Sequence, residues 1–362
     1  MSKVLVMMSG GVDSSVAAYL LKQQGHDVTG VTMRLFDPKD LLEPASPGLG
    51  PAGPSCCGGK KDACLAQDCA MLLGIKHEIL DEKQRFREDI IDAFKGAYMA
   101  GETPNPCVDC NRFLKFGTIL VWAQERGVDA VATGHYAKVA ASGPDTGLFK
   151  AKDAKKDQSY FLYMLDERQL PRVMFPLGDM TKEEVRALAA QVGLPTAAKP
   201  ESQDICFVGA LGGDYRTMLG PALEGPIVER TTGKVLGRHT GHFNYTIGQR
   251  EGLGIAVGEP LYVTSVDAAK NTVFVGKDGD LVRTEVSLRD VTWTSRRHCE
   301  MTVVEAGVKI RYRSPEVAAT IHTAQARRAR VVFTAAVRAP APGQSAVFYD
   351  GDRVLGGGII CG

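Results

Sequence analysis

Up to residue 212 the chain alternates short apolar runs with amphipathic stretches of helical period, and a parallel sheet covered by helices on both faces satisfies that alternation. "KVLVMM" at the start reads as a strand, and "SSVAAYLLKQQG" as a helix with Val16, Ala17, Leu20 and Leu21 on one face and Gly25 as its C-terminal cap. The unit recurs. "DVTGVTMRL", "IKHEIL" and "DAVATGHYA" read as strands; "DACLAQDCAMLLG", "FREDIIDAFKGAYM", "LKFGTILVWAQERG" and "TKEEVRALAAQVG" read as helices, the last opened by a capping box from Thr181 to Glu184. Beyond residue 212 the texture changes to short alternating strands with glycine turns, among them "LYVTSVDAAKNTVFVGKDGD", "ARVVFTAAV" and "AVFYDGDRVLGGGII". Asp350-Gly351 is a two-residue hairpin signal, and a string of hairpins implies a small barrel or sandwich. The expected division is an α/β unit at 1–212, a small β-rich unit at 213–282 and a β-barrel at 283–362. The proline- and glycine-rich stretch 37–55 reads as a flexible surface loop.

With 362 residues, a formal charge of +1 and a pI near 7.6, the chain is no uniformly basic nucleic-acid coat. Charge is nevertheless uneven, since Arg283 to Arg338 holds eleven Lys/Arg against five Asp/Glu. Next to a nucleotide-handling unit, that run points to RNA phosphate contact. The apolar run at the start is too short for a signal peptide and no stretch approaches membrane-spanning length, so a cytoplasmic protein with no membrane partner is expected. In that compartment nine cysteines are not disulfide staples, and clustered ones are weighed as metal ligands or redox catalysts.

"SGGVDSS", Ser9 to Ser15, lies where the first strand meets the first helix. Glycines there let backbone N–H groups form a nest that receives phosphate, with the helix dipole and the hydroxyls of Ser9, Ser14 and Ser15 adding to it. The loop has neither the Gly-Lys-Ser/Thr ending of a Walker loop nor the spaced glycines of a dinucleotide fingerprint. It resembles the PP-loop of ATP pyrophosphatases, which cleave ATP between the α and β phosphates, and Asp13 is then expected to meet magnesium.

"TPNPCVDCNRFLKF", "ATGHYA", "KDQSYFLYMLDERQL", "FPLGDMTKEEVRALAAQVGLP", "ESQDICFV", "GHFNYTIGQREGLGI" and "RYRSPEVAATI" occur in order over nearly the whole chain. Together they resemble the tRNA-specific 2-thiouridylase family (MnmA/TrmU), within the PP-loop superfamily. The resemblance implies a Rossmann-like PP-loop catalytic domain, a small central domain and a tRNA-binding C-terminal β-barrel. It also implies the reaction: ATP adenylates the 2-carbonyl oxygen of the wobble uridine in Lys-, Glu- and Gln-type tRNAs, and a protein persulfide delivers sulfur as AMP departs. A uracil carbonyl is a poor electrophile, so the nucleotide creates the leaving group and a sulfur anion attacks; the base is expected to be flipped out.

Carried over by position, Cys206 is the persulfide bearer and Cys110 the nucleophile that releases its sulfur. Met7, Met8, Ser9, Gly10, Gly11, Val12, Asp13, Ser14, Ser15, Met33 and Gly134 match ATP contacts. Asn105, Pro106 and Cys107 match the target-base stretch, while His135, Lys156, Asp157, Gln158, Arg311, Tyr312 and Gln344 match tRNA contacts. Cys107 departs from the family pattern, standing where many members have Asp and creating Cys-x-x-Cys. That opens a second expectation, an iron-sulfur cluster on Cys107, Cys110 and Cys206 presenting sulfide to the adenylated base, with zinc a weaker choice for want of a fourth ligand. Cys56, Cys57, Cys64 and Cys69 lack zinc-ribbon spacing and read as structural, and Cys299 and Cys361 are unassigned. The sulfur donor is a cysteine desulfurase, a relay protein or free sulfide. Two alternatives stay open: a PP-loop ligase that transfers nitrogen, as argininosuccinate synthase and lysidine synthase do, and a non-catalytic RNA-binding protein with a metal staple.

Overall fold

The computed structural model describes residues 1–38, 41, 60–142, 145–201, 205–220, 222–255, 257–325 and 327–362. Most of the expected loop 37–55, together with Cys56 and Cys57, lies outside them.

The first layer is a parallel sheet of β1 (Lys3–Met7), β2 (Asp27–Arg34), β3 (Lys76–Asp81), β4 (Ala130–Ala132) and β7 (Val173–Met174), in the order β3-β2-β1-β4-β7. Because side chains alternate along a strand, the β1 stretch serves two cores. Val4, Val6 and Met8 pack beneath α1 (Val12–Gln23), α2 (Lys60–Leu73) and α5 (Lys182–Val192). Leu5 and Met7 face the other way, onto Phe116, Ile119, Leu120 and Ala123 of α4. Helix α3 (83–99) and helix α4 (106–125) each contain a wider π-helical stretch, Arg87–Asp92 and Cys110–Thr118 respectively. Such stretches concentrate at functional sites. Helix α4 begins earlier than the sequence led us to expect. Pro106 at its first turn suits a helix start, so Cys107 and Cys110 lie on helix, not in a loop.

A second sheet joins β8 (Glu224–Glu229), β9 (Val235–Thr240), β10 (Tyr262–Asp267) and β11 (Thr272–Gly276) in the order β10-β11-β8-β9 around Ile227, Val263, Val273 and Val275. The third is a closed six-stranded barrel running β12 (Val282–Trp293), β15 (Arg328–Arg338), β14 (Val317–Ala324), β13 (Val303–Lys309), β16 (Ser345–Asp350) and β17 (Arg353–Ile360), with β17 pairing back to β12. The β16–β17 turn is centred on Gly351-Asp352, one residue later than the Asp-Gly signal placed it, since Asp350 still pairs with Arg353. The "RYR" run is a turn after β13, not an edge strand.

Domain and barrel are not merely tethered. The hairpin β5 (Lys138–Ser142) and β6 (Asp145–Phe149) rises from the α/β unit and hydrogen-bonds to β17 through Leu148↔Val354 and Phe149↔Arg353. Beneath that joint, Val347, Tyr349 and Val354 of the barrel share one core with Leu148, Tyr160, Leu162 and Tyr163. Each fully buried side chain of this kind contributes about 1.5–3 kcal/mol, so the barrel is an integral part of the α/β unit's fold. No described helix is long and apolar enough to cross a membrane.

Candidate active site

The loop after β1 closes on itself. Gly10 adopts φ +69°, and a Cβ there would lie 2.2 Å from Asp62 O, so only glycine fits. Ser14 Oγ and Ser15 Oγ both donate to Gly11 O, at 3.1 and 3.0 Å, and Ser14 Oγ accepts from Ser9 N at 3.2 Å. In this state those two hydroxyls brace the loop instead of facing outward as phosphate donors. No side chain caps α1. Its first-turn N–H groups therefore stay available to an anion, aided by the helix dipole. Gly134, at the end of β4, presses on the same turn: a Cβ would fall 2.7 Å from Asp13 C and Ser14 N.

Around this cradle stand charged residues that sequence reasoning did not single out. Lys182 Nζ donates to both Asp13 carboxylate oxygens, at 2.6 and 2.8 Å, and Tyr136 OH donates to Asp13 Oδ1 at 2.8 Å. Burial, then the Asp13 charge, pushes Tyr136 far above the usual phenol range, so it remains a donor. Lys182 also reaches Glu201 at 2.8 Å, and Glu201 holds Lys156 at 2.6 Å. Burial alone would raise the Glu201 carboxyl, but hydrogen bonds from Lys156 and Lys182 overcome it and bring it down to about 2. Lys199 bridges Gly10 O (2.9 Å) and Asp62 Oδ1 (2.5 Å), pinning the glycine turn. Lys182 opens a capping-box helix, and no sequence signal marks its approach to Asp13.

Met33 packs against both the sheet core and the aromatic cluster of α3 and α4 that holds the thiols. Cys110 is buried in that cluster with Leu114, Phe86 and Phe207. Cys206, the first residue of α6 (Cys206–Ala210), packs against it half-buried. Cys107 is half-buried on the first turn of α4. The strap before it is clamped by the barrel: Thr103 N donates to Pro342 O at 2.7 Å, and Gln344 Nε2 donates to Thr103 O and Pro104 O at 2.9 and 3.4 Å. Asn105 O accepts the Val108 N–H at 3.1 Å as α4 opens. Asp109 points at the barrel. Burial raises its carboxyl to about 6, with Arg112 and Arg289 opposing and Asp290 adding to the rise.

Among the described residues no three His, Cys, Asp or Glu side chains are grouped to hold a metal ion. Cys107, Cys110 and Cys206 therefore do not form an iron-sulfur cluster site in this structure: Cys110 is buried in the aromatic pocket and Cys206 packs against it. The cradle differs, because magnesium characteristically takes one or two carboxylates and completes its shell with substrate phosphates and water. Asp13 suits that pattern.

The residues matched to tRNA contacts are dispersed. His135 stands between Phe116 and Phe175, with Nδ1 at 2.6 Å from Thr133 Oγ1, and burial followed by the Lys115 charge keeps it neutral. Asp157 is buried, accepting from Ala151 N at 2.9 Å and Ser159 Oγ at 2.8 Å, and Gln158 Oε1 accepts the Tyr136 N–H at 2.9 Å. Arg311 donates to Ile247 O at 3.3 Å and to Ala339 O, joining central domain and barrel, while Tyr312 lies 4.7 Å from the Phe161 ring. The basic run of the barrel is partly neutralised: Arg289 pairs with Glu102, Arg330 with Glu285 and Arg338 with Asp278.

Three family profiles match end to end: a tRNA methyl transferase HUP domain over 2–210, a tRNA methyl transferase PRC-barrel domain over 216–277 and an aminomethyltransferase beta-barrel domain over 283–360. The tRNA-specific 2-thiouridylase MnmA of Acidithiobacillus ferrooxidans is 44% identical over 367 residues, covering 99% of this chain and 98% of its own. The chain belongs to the tRNA-specific 2-thiouridylase family. The same-named protein of Pelobacter propionicus is 45% identical over 364 residues, covering 99% and 97%, and that of Paramagnetospirillum magneticum 45% over 369, covering 99% and 95%.

Proposed function

We infer that this protein is an ATP-dependent tRNA-uridine 2-sulfurtransferase, acting in the cytoplasm on the wobble uridine. One observation carries the reading: Met33 packs against both the sheet core that contains Met7, at the end of the strand leading into the PP-loop, and the cluster that holds Cys110 and Cys206. A ligase that transfers nitrogen has no use for that pair of thiols.

In the proposed sequence the uridine 2-oxygen attacks the α-phosphorus of ATP, and pyrophosphate leaves into the N–H nest of Ser9–Ser15. The nest and Lys182 hold the departing charge in a partly buried site, where such contacts are strongest. A donor, either a persulfide carrier or free sulfide with an oxidant, loads Cys206 as Cys–S–SH. Its terminal sulfur attacks C2 and AMP departs. The Cys110 thiolate then attacks the Cys206 sulfur, cleaving the S–S bond, so the terminal sulfur stays on the base and a Cys110–Cys206 disulfide forms. A thiol reductant reopens it. Asn105 ends the clamped strap and Pro106 and Cys107 open α4, where they can line the base pocket. Lys156, His135, Tyr312, Arg311 and Gln344 border the faces that RNA would approach, whereas Asp157 and Gln158 support them through backbone contacts.

The test is mass spectrometry of tRNA nucleosides after incubation with ATP, magnesium, a sulfur source and reductant. Wild type is expected to form 2-thiouridine, and Cys206→Ala to form none while still releasing pyrophosphate. Cys107→Asp is expected to retain activity, because no step passes through Cys107. Thiolation by the Cys206→Ala protein would overturn the mechanism.

A further inference from the structure

The wall of the barrel is irregular where it faces α4. Arg289 and Thr292 of β12 pair with Ile359 and Gly357 of β17, so β12 carries one residue more than its partner across that interval. Within this bulge Asp290 takes φ +54°, a left-handed conformation uncommon outside glycine, and Arg327, just before β15, takes φ +56°. Arg327 fastens the bulge: its Nε donates to Val291 O at 3.1 Å, its Nη2 donates to Thr292 Oγ1 at 2.9 Å, and its own O accepts the Val291 N–H at 2.9 Å. The glycine run of β17 leaves room for it. A Cβ at Gly356 would collide with Thr292 O, and one at Gly358 would lie 3.0 Å from Arg289 O. Bulges beside active sites commonly re-aim a side chain.

The re-aimed side chains grip the thiol-bearing stretch on both sides of its cysteines. Arg289 Nη1 and Nη2 donate to Glu102 Oε1 and Oε2 at 3.2 and 2.8 Å, a two-pronged pair that fixes orientation as well as distance. Glu102 stands five positions before Cys107. Thr292 Oγ1 accepts Arg112 Nη2 at 2.9 Å, and Arg112 stands two positions after Cys110. Between the two grips, Asp109 feels the charges of Arg112, Asp290 and Arg289. Four residues of barrel thus hold both ends of the stretch 102–112. The thiol that Cys110 must meet is carried by a different element, α6, and packs against the same aromatic cluster.

We propose that the bulge Arg289–Thr292 is a positioning device for sulfur transfer: Arg289 acting through Glu102, and Thr292 acting through Arg112, set where the Cys110 thiol stands relative to Cys206. The inference rests on the sulfurtransferase reading and brings barrel residues into its chemistry. None of the four touches the reacting atoms, so all are positioning residues. Arginines that served only as contacts for RNA phosphate would govern tRNA affinity. Positioning residues govern instead how readily the two thiols join, and they do so with no RNA present.

The experiment equilibrates the full chain with reduced and oxidised glutathione, without RNA or ATP, and reads the Cys110–Cys206 disulfide by peptide mass spectrometry. In that exchange one oxidised glutathione becomes two thiols as the two protein thiols become a disulfide. A second readout separates kcat from KM for tRNA thiolation. Glu102→Ala and Arg289→Ala are each expected to shift the equilibrium severalfold toward the dithiol, and the double variant to shift it no further, because both remove the same interaction. Thr292→Val, which keeps the branched shape and removes the acceptor, is expected to shift it the same way. In every variant kcat is expected to fall, by up to about a hundredfold, as a misplacement of about 1 Å can cost, with KM for tRNA unchanged. Should Arg289→Ala not fold, Glu102→Ala and Thr292→Val decide the matter. A wild-type equilibrium in those two variants overturns the proposal, as does a raised KM with kcat kept, which would make the arginines phosphate contacts. Wild type that forms the disulfide with this dependence yet makes no 2-thiouridine would strike the preceding reading alone. Wild type that forms no Cys110–Cys206 disulfide would strike both.

Discussion

At the scale of single residues, Asp109 shows how a carboxylate between Cys107 and Cys110 is governed by the barrel. Its folded value of about 6, against the ordinary 3.8, means that the native state holds the proton more tightly than the unfolded chain. The sign follows: the contribution of Asp109 to stability is fully present below 3.8 and is lost as pH rises through 6. Asp109→Asn is expected to melt higher than wild type above pH 6 and together with it below 3.8, as read by circular dichroism across pH; an equal shift at both ends would contradict the buried-charge explanation. Much at this scale was legible in the sequence. The seven residues Ser9–Ser15 at a strand-to-helix joint announced the cradle, because a phosphate nest is a local structure. Lys182, Lys199, Asp62 and Glu201 were not legible, since what matters in them is proximity to Asp13 and Gly10 across long stretches of chain. Ser14 and Ser15 were read as outward donors, but their hydroxyls found the nearer Gly11 carbonyl.

Among the elements, α4 and the strap before it carry the most consequence. The proline pair of "TPNP" was visible, yet the helix start at Pro106 was missed because two cysteines read as a motif drew attention from the N1 preference of proline. Gln344→Ala removes the donor to Thr103 O and Pro104 O. Losing one such hydrogen bond costs about 0.5–1.5 kcal/mol of stability, whereas loss of the strap's position is expected to lower kcat for thiolation much more than the melting temperature. A proportionate fall in both would assign Gln344 to stability alone. Gly134→Ala tests the opposite side of the site. Its Cβ would enter the first turn of α1, and isothermal titration is expected to show weakened ATP binding, with overpacking adding about 1–3 kcal/mol of destabilisation. The strand-helix alternation predicted the parallel sheet well because a buried sheet imposes its period locally. The turn formed by the "RYR" run has no local signal, because Arg311 is fixed by one carbonyl of the central domain, Ile247 O, and one of the barrel, Ala339 O.

The whole molecule is organised by the joint between the β5–β6 hairpin and β17. Tyr160 OH donates to Ser345 O at 2.8 Å, and Tyr160 and Tyr163 are almost wholly buried against barrel side chains. Removal of residues 283–362 is therefore expected to leave the α/β unit protease-sensitive and without a cooperative melt, although its sheet is complete. A sharp transition from that fragment would show that the domains fold independently. No local signal in "LFKAKD" or "RVLGGGII" discloses that the two segments pair.

That pairing also sets a schedule during synthesis. Lys150 and its partner Gly351 are 201 positions apart, and a ribosome adding ~5–20 residues per second needs roughly ten to forty seconds to traverse the interval. Throughout it the nascent hairpin presents an uncapped edge and two large aromatic rings to the cell. Chaperone occupancy of this enzyme on the ribosome should accordingly rise once residue 163 emerges and fall only when the final strand has cleared the exit tunnel.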